Sequence, residues 1–274
     1  TFFLGRPNNA EITNTMSGPF SGPVEQAITA FDASAVDTWF DATSFIGAFP
    51  DDASAASNWA AGWTFSLFPD PGCPTGTTES AETINGQRVC QLTGTLIADV
   101  RLDRNSMYEI IGPVFVGRDA GADPAAPIAG ATEVTLTIDP GVTLFGSSGS
   151  DYLVVTRGSQ LESNGTATSP VVMTSRSGVE GTAGLNTKAQ WGGVVINGRA
   201  PINACTGAAV GGAVDCEKSG EGSSGLFGGA TTDDDSGSIT FTQVLFAGFR
   251  VNSGDELNGI AFQGVGNDTF VDYV

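Results

Sequence analysis

Residues Leu136 to Leu144 (Leu-Thr-Ile-Asp-Pro-Gly-Val-Thr-Leu) match Leu153 to Leu161 (Leu-Val-Val-Thr-Arg-Gly-Ser-Gln-Leu) at an offset of seventeen positions, 136 to 153. Leu136 meets Leu153, Ile138 meets Val155, Gly141 meets Gly158 and Leu144 meets Leu161. A unit this short cannot bury an apolar face alone, so it must stack on copies of itself. A second match lays Thr240 to Leu245 on Thr269 to Val274, and Pro170 to Ser175 and Trp191 to Gly198 are further short apolar alternations ending at turns. Coils of a parallel β-helix have these properties. Alternate residues turn inward and stack on their equivalents above and below, while Gly and Asn turn the corners in left-handed backbone. The spacing predicts that Leu136, Ile138, Leu144, Leu153, Val155 and Leu161 point inward on successive coils. A sandwich or antiparallel barrel competes, because Asn-Gly at 164, 197 and 258 would serve equally as hairpin turns.

The alternation starts near Val89, and the residues before it read differently. Pro19 and Pro23 bracket a turn-rich start, Val24 to Phe40 predicts a short helix with Ala27, Phe31 and Val36 inward, and Asp51 to Trp63 mixes acidic, Ala and Trp residues. The expected organisation is an irregular flank over 1–85, a capping or subunit-contact segment, followed by the β-helix over 86–274. A long insertion is expected at about 204–237. Its Gly220 to Gly229 stretch lacks the Lys and following helix of a phosphate loop.

Charge then narrows the partners. Eleven Lys plus Arg against 30 Asp plus Glu give −19, which repels phosphate backbones and anionic lipid, so nucleic acid is excluded. With no histidine, the chain cannot supply a Ser-His-Asp triad, a His-led metal site or a histidine proton shuttle. No run approaches the roughly 18 apolar residues of a membrane span. Thr1 opens without a basic start and apolar signal core, so an exported chain is expected to be already processed. Lys188 and Lys218 are the only lysines, and the Gly, Ser, Thr, Ala and Asn-rich composition suits a secreted or cell-surface protein. The four cysteines fall into two local pairs, Cys73 with Cys90 and Cys205 with Cys216, neither at zinc or redox spacing. Local disulfides are expected, although four cysteines allow three connectivities.

Four phrases carry a resemblance. Leu136 to Gly146, Tyr152 to Ser159, Gln190 to Asn203 and Glu256 to Gly266 resemble a family of bacterial secreted or lipid-anchored right-handed parallel β-helix surface proteins, over roughly Cys90 to Val274. The resemblance implies fold and export and transfers no catalytic residue. Two departures stand out. Phe45 to Phe49 followed by Asn58 to Trp63 precedes the helix here, where such a phrase follows it in the family. The alternation also stops at Val274, where the family continues into further coils, which predicts a fragment, a processed form or a subunit completed by something else.

Candidate chemistry rests on carboxylates and aromatics. Asp233, Asp234 and Asp235, and Asp255 with Glu256, are acidic turns able to offer oxygen ligands to calcium, although neither has EF-hand spacing and such turns are commonly just solvated. Lyases on β-helices pair calcium-binding acids with a basic Arg or Lys, which singles out Arg199 and Arg250. Glycosidases use two carboxylates, which singles out Asp255, Asp268 and Asp272. Trp59 and Trp63 would stack on sugar rings if exposed, whereas Trp191, before Gly192-Gly193, reads as core. The expectation is a non-enzymatic structural or adhesive surface protein, a homo-oligomer or head-to-tail filament in which the flank covers the open end of the next subunit. A polysaccharide lyase or glycosidase, or a glycan-binding surface module with a polysaccharide partner, is the alternative.

Overall fold

Short β-branched and aromatic runs cut by Gly, Asn and Asp favour strands of a few residues joined at sharp corners. The structure, a computed structural model, describes residues 72–274 and has this character. The helix expected over 24–40, Trp59 and Trp63 lie outside the described residues. Regular structure opens with β1 (Thr78–Ile84), which folds back antiparallel on β2 (Gln87–Leu96) through Asn85-Gly86. The chain continues through β3 (Val100–Leu102), β4 (Met107–Val116), β5 (Thr135–Ile138), β6 (Thr143–Gly146), β7 (Tyr152–Val155), β8 (Gln160–Asn164) and β9 (Val171–Ser175). After the short helix α1 (Arg176–Val179) come β10 (Gly193–Asn197), β11 (Lys218–Ser219), β12 (Leu226–Phe227), β13 (Gly237–Thr240) and β14 (Thr242–Val244). The last strands are β15 (Phe249–Asn252), β16 (Asp255–Leu257), β17 (Ile260–Gln263) and β18 (Phe270–Asp272).

Parallel ladders sort these strands into three faces. The first face stacks the front halves of β2 and β4, then β6, β9 and β14. The second stacks the rear halves of β2 and β4, then β7, β10 and β17. The third stacks β3, β5, β8, β13 and β18. β2 and β4 each serve two faces because they bend at Gly94 and Gly112, whose φ of 62° and 63° a side chain would resist. The architecture is a right-handed parallel β-helix, all-β apart from short helical turns.

Inward residues form continuous columns. On the first face Cys90, Tyr108, Leu144 and Met173 lie one above another, and on the second Val114, Leu153 and Val194 do so. The third stacks Leu102, Ile138, Ser163 and Ile239. All six residues expected to point inward are buried, but the seventeen-residue offset does not equal one coil. Leu136 lies beneath Leu161 rather than Leu153, and Leu144 beneath Met173 rather than Leu161. The match aligns two corners, one from β5 to β6 at Gly141 (φ 82°) and one from β7 to β8 at Gly158 (φ 86°). Strand–corner–strand units resemble one another on every face, so the offset counts corners.

Trp191 is completely buried, and its indole Nε1 donates to the Leu245 carbonyl at 2.9 Å. Its bulk is accommodated opposite Gly146, where a Cβ would stand 2.7 Å from the Trp191 Cβ. Before β1 the chain is fastened to the first coil. Cys73 is bonded to inward-facing Cys90 and packs on the core, and Gly76 lies against Val100. The longest excursion of the coil runs between β10 and β13, carries the β11–β12 hairpin, and contains the second bond, Cys205–Cys216.

Candidate functional site

Side chains on the outside of a β-helix normally meet water, yet the outer column of the second face is apolar. Phe115, Val154, Val195 and Ala261 stack there in register, with Val154 and Val195 fully covered. Alternation within Tyr152 to Val155 and Gly193 to Asn197 therefore fails, because both sides of these strands are buried. The excursion between β10 and β13 supplies part of the cover as a strap, and Leu257 from β16 supplies more. The β11–β12 hairpin carries the turn Glu221–Ser223 at its tip. Gly222 packs so closely that a Cβ would come within 2.6 Å of Leu257.

Polar ties hold this strap at its base and its tip. At the base, fully buried Arg157 donates to both carboxylate oxygens of Asp119, at 2.8 and 2.7 Å, and also to Glu217 and the Gly228 carbonyl. Arg199 does similar work one corner away, donating to Glu133 at 3.0 Å and to the Gly121 carbonyl at 2.9 Å. At the tip, Tyr152 donates its hydroxyl to the Gly222 carbonyl, and Asn197 donates from Nδ2 to the Ser224 carbonyl at 2.7 Å. Burial, followed by the Asp255 charge, pushes the Tyr152 phenol up from its ordinary value, so it stays a donor. Beside the strap is a cleft of about 310 Å³ lined by Phe115, Arg118, Thr156, Asn197, Ser224 and Leu226.

The acidic turns are put to structural use. Asp255 accepts from the Gly222 amide at 2.7 Å and so ties down the hairpin tip. Asp235 accepts from the Gly237 amide and from Gln160, both at 2.8 Å, at the start of β13. Asp233 and Glu256 are exposed. Among the described residues no three Asp, Glu or Cys side chains gather as a metal site requires. Arg250 lies opposite Glu256 in the β15–β16 ladder and donates to the Asn252 carbonyl, while Asp268 and Asp272 are exposed.

Asp234 is the one buried member of its run, accepting from the Ser236 hydroxyl at 3.2 Å. Burial pushes its carboxyl up, against the Arg199 and Gly266 amides, Ser236 and the Arg199 charge, which pull it down. A carboxyl raised on folding favours the protonated state of the fold. Its contribution is therefore complete below the unfolded value near 3.9 and is lost as pH rises through the raised value. Asp234→Asn is expected to remove this loss, so the variant gains stability relative to the parent as pH rises through that window. Denaturant melts between pH 3 and 7 read the difference, and parallel curves would contradict it.

Sequence reasoning did not single out Arg157, Asp119, Glu217 or Tyr152 as a cluster, since they come from coil corners and an insertion. A description as a pectate-lyase-like β-helix domain matches residues 94–274. The chain belongs to that family. No curated protein and no solved structure matches it. The β-helix domain thus extends from the rear half of β2 through β18 and includes the strap, its base and the cleft.

Proposed function

We propose that this β-helix works outside the cell as a bacterial surface protein of structural or adhesive type, without catalysing a reaction. The observation that carries the reading is the strap. On the second face the outer surface is roofed by a hairpin tied at base and tip, where a polymer substrate would need open passage. Two disulfides, one inside the strap excursion, suit an oxidising compartment. Arg199, a candidate base from sequence, is occupied with Glu133 and a backbone carbonyl. Among the described residues no helix is long and apolar enough to cross a membrane. Head-to-tail association of copies into filaments remains part of this proposal.

A carbohydrate-active enzyme is the second reading, favoured by the pectate-lyase likeness of the family description. Incubation with polygalacturonate and with neutral polysaccharides, with and without calcium, separates the two. The expected result is neither unsaturated product nor new reducing ends, with sedimentation of the same samples showing concentration-dependent assembly. Sustained product formation would replace the structural reading with the enzymatic one.

A further inference from the structure

The roof over the second face stops short of its first rungs. In the outer column Thr95, Phe115, Val154, Val195 and Ala261 follow one another. Val154 and Val195 are covered, whereas Phe115 is half-buried and Thr95 is exposed. The 310 Å³ cleft opens at this edge, lined by Thr95 and Phe115 of the column and by Leu226 of β12, which keeps 40% of its surface exposed. The deeper polar groups of the lining are already committed or covered. The Thr156 hydroxyl donates to the Val116 carbonyl at 2.8 Å, Asn197 Nδ2 donates to the Ser224 carbonyl, and Asn197 Oδ1 and Ser224 Oγ are buried from solvent. A ligand rich in hydroxyls would find few partners here, while an apolar body gains by leaving water.

Two charged residues line the cleft, Arg118 and Asp119. Asp119 is occupied: its two carboxylate oxygens accept from Arg157 at 2.8 and 2.7 Å, and one also accepts from the Gly121 amide at 3.0 Å. Arg118 is different. Its backbone is pinned to Thr132 by amide hydrogen bonds in both directions, at 2.8 and 3.2 Å, but its exposed side chain has no hydrogen-bond or carboxylate partner among the described residues. On a chain with 30 acidic residues against 11 basic ones, Arg88, Arg101, Arg157, Arg176 and Arg199 each hold a carboxylate. The cleft thus presents one unneutralised cation at an apolar mouth. We propose that it binds a small monocarboxylic acid with an apolar body, the body lying against Phe115 and Leu226 and the carboxylate pairing with the Arg118 guanidinium.

A cleft of this volume is at the small end of ligand sites and suits a single ring or short alkyl chain with an acid tail. The net charge of −19 repels anions at long range, but salt screens that field within about 8 Å, so contact with Arg118 decides. One exposed guanidinium holds a bare carboxylate only weakly. Two apolar side chains hold a neutral body only weakly as well. Selectivity therefore requires both features in one molecule. The site does not rest on the structural or adhesive reading and adds a small-molecule ligand to it.

The test is a calorimetric titration of the full chain with 3-phenylpropionate through the millimolar range, with hydrogen exchange to locate the bound acid. The controls are 3-phenylpropanol, which lacks the charge, and oligogalacturonide, which lacks the apolar body. The acid is expected to bind once per chain and to slow exchange in residues 115–119 and 224–226. The alcohol is expected to bind about tenfold more weakly, and oligogalacturonide to leave the bound acid in place. Arg118→Gln should weaken the acid about tenfold while leaving alcohol binding and the melting temperature unchanged, because the side chain has no partner to lose. Leu226→Ala should weaken acid and alcohol alike. No saturable binding to the parent, equal binding of acid and alcohol, or full affinity in Arg118→Gln overturns the site. Displacement by oligogalacturonide, or protection confined to other segments, also overturns it. A fall in melting temperature with Arg118→Gln would assign the guanidinium a structural partner and remove the free cation on which the site depends.

Discussion

Arg157→Ala is expected to destabilise the protein by about 3–5 kcal/mol, with the strap as the first part to fail. Arg157 is 1% exposed and occupies the corner between β7 and β8, where it neutralises Asp119 and Glu217 and satisfies the Gly228 carbonyl. Its removal leaves two carboxylates facing each other across a void, together with an unpaired carbonyl. Asp119 and Glu217 keep 27% and 33% of their side-chain surface, so water screens part of their repulsion and the lower end of the range applies. Arg157→Met fills most of the volume without the charge and separates packing from pairing. Adding Glu217→Gln to Arg157→Met should recover part of the loss, because one of the two opposed charges disappears. Denaturant melts give the magnitude, and limited proteolysis shows whether cleavage in residues 206–229 precedes global unfolding. A loss below about 1 kcal/mol would show that the strap does not depend on this arginine.

The fold was legible because a β-helix writes its core into local alternation. Leu136, Ile138, Leu153 and Val155 are inward for the reason any strand residue is, that side chains alternate between faces. Coil register was not legible, because which strand lies above which depends on excursions of very different length. β3 and β4 are separated by four residues, whereas β10 and β13 are separated by the whole strap excursion. The pairing of Leu136 with Leu161 follows from that three-dimensional path, and no local motif encodes it.

The candidate site was less legible still, for a related reason. Asp255 stands out locally because a carboxylate in a turn is a ready oxygen donor, but that one of its oxygens accepts from a backbone amide thirty-three positions away is written in no local motif. Gly220 and Gly222 matter through the side chains they lack, making room for Gln263 and Leu257, and a glycine-rich stretch looks the same whether it packs or dangles. One signal was present. Val154 and Val195 are apolar at positions where strict alternation calls for polar residues, and that departure marks a strand covered on both sides.

Truncation of the central column should produce the second large effect. Leu153 is fully buried between Val114 below and Val194 above, in the third of five rungs on its face, where neighbouring coils limit relaxation. Leu153→Ala removes buried methyl groups and leaves a cavity, for an expected loss of about 2–5 kcal/mol. The upper part of the range applies if the backbone hydrogen bonds of both flanking ladders keep the coils from closing on the gap. Leu185→Ala is the control. That side chain is fully exposed, in the excursion between β9 and β10, and its loss should stay within about 0.5 kcal/mol. Because Leu153 and Val194 share a column, their alanine variants should be non-additive by at least about 0.5 kcal/mol in a double-mutant cycle. Additive behaviour would mean that the two side chains do not pack on each other, and a Leu153 loss no larger than that of Leu185 would remove it from the core altogether.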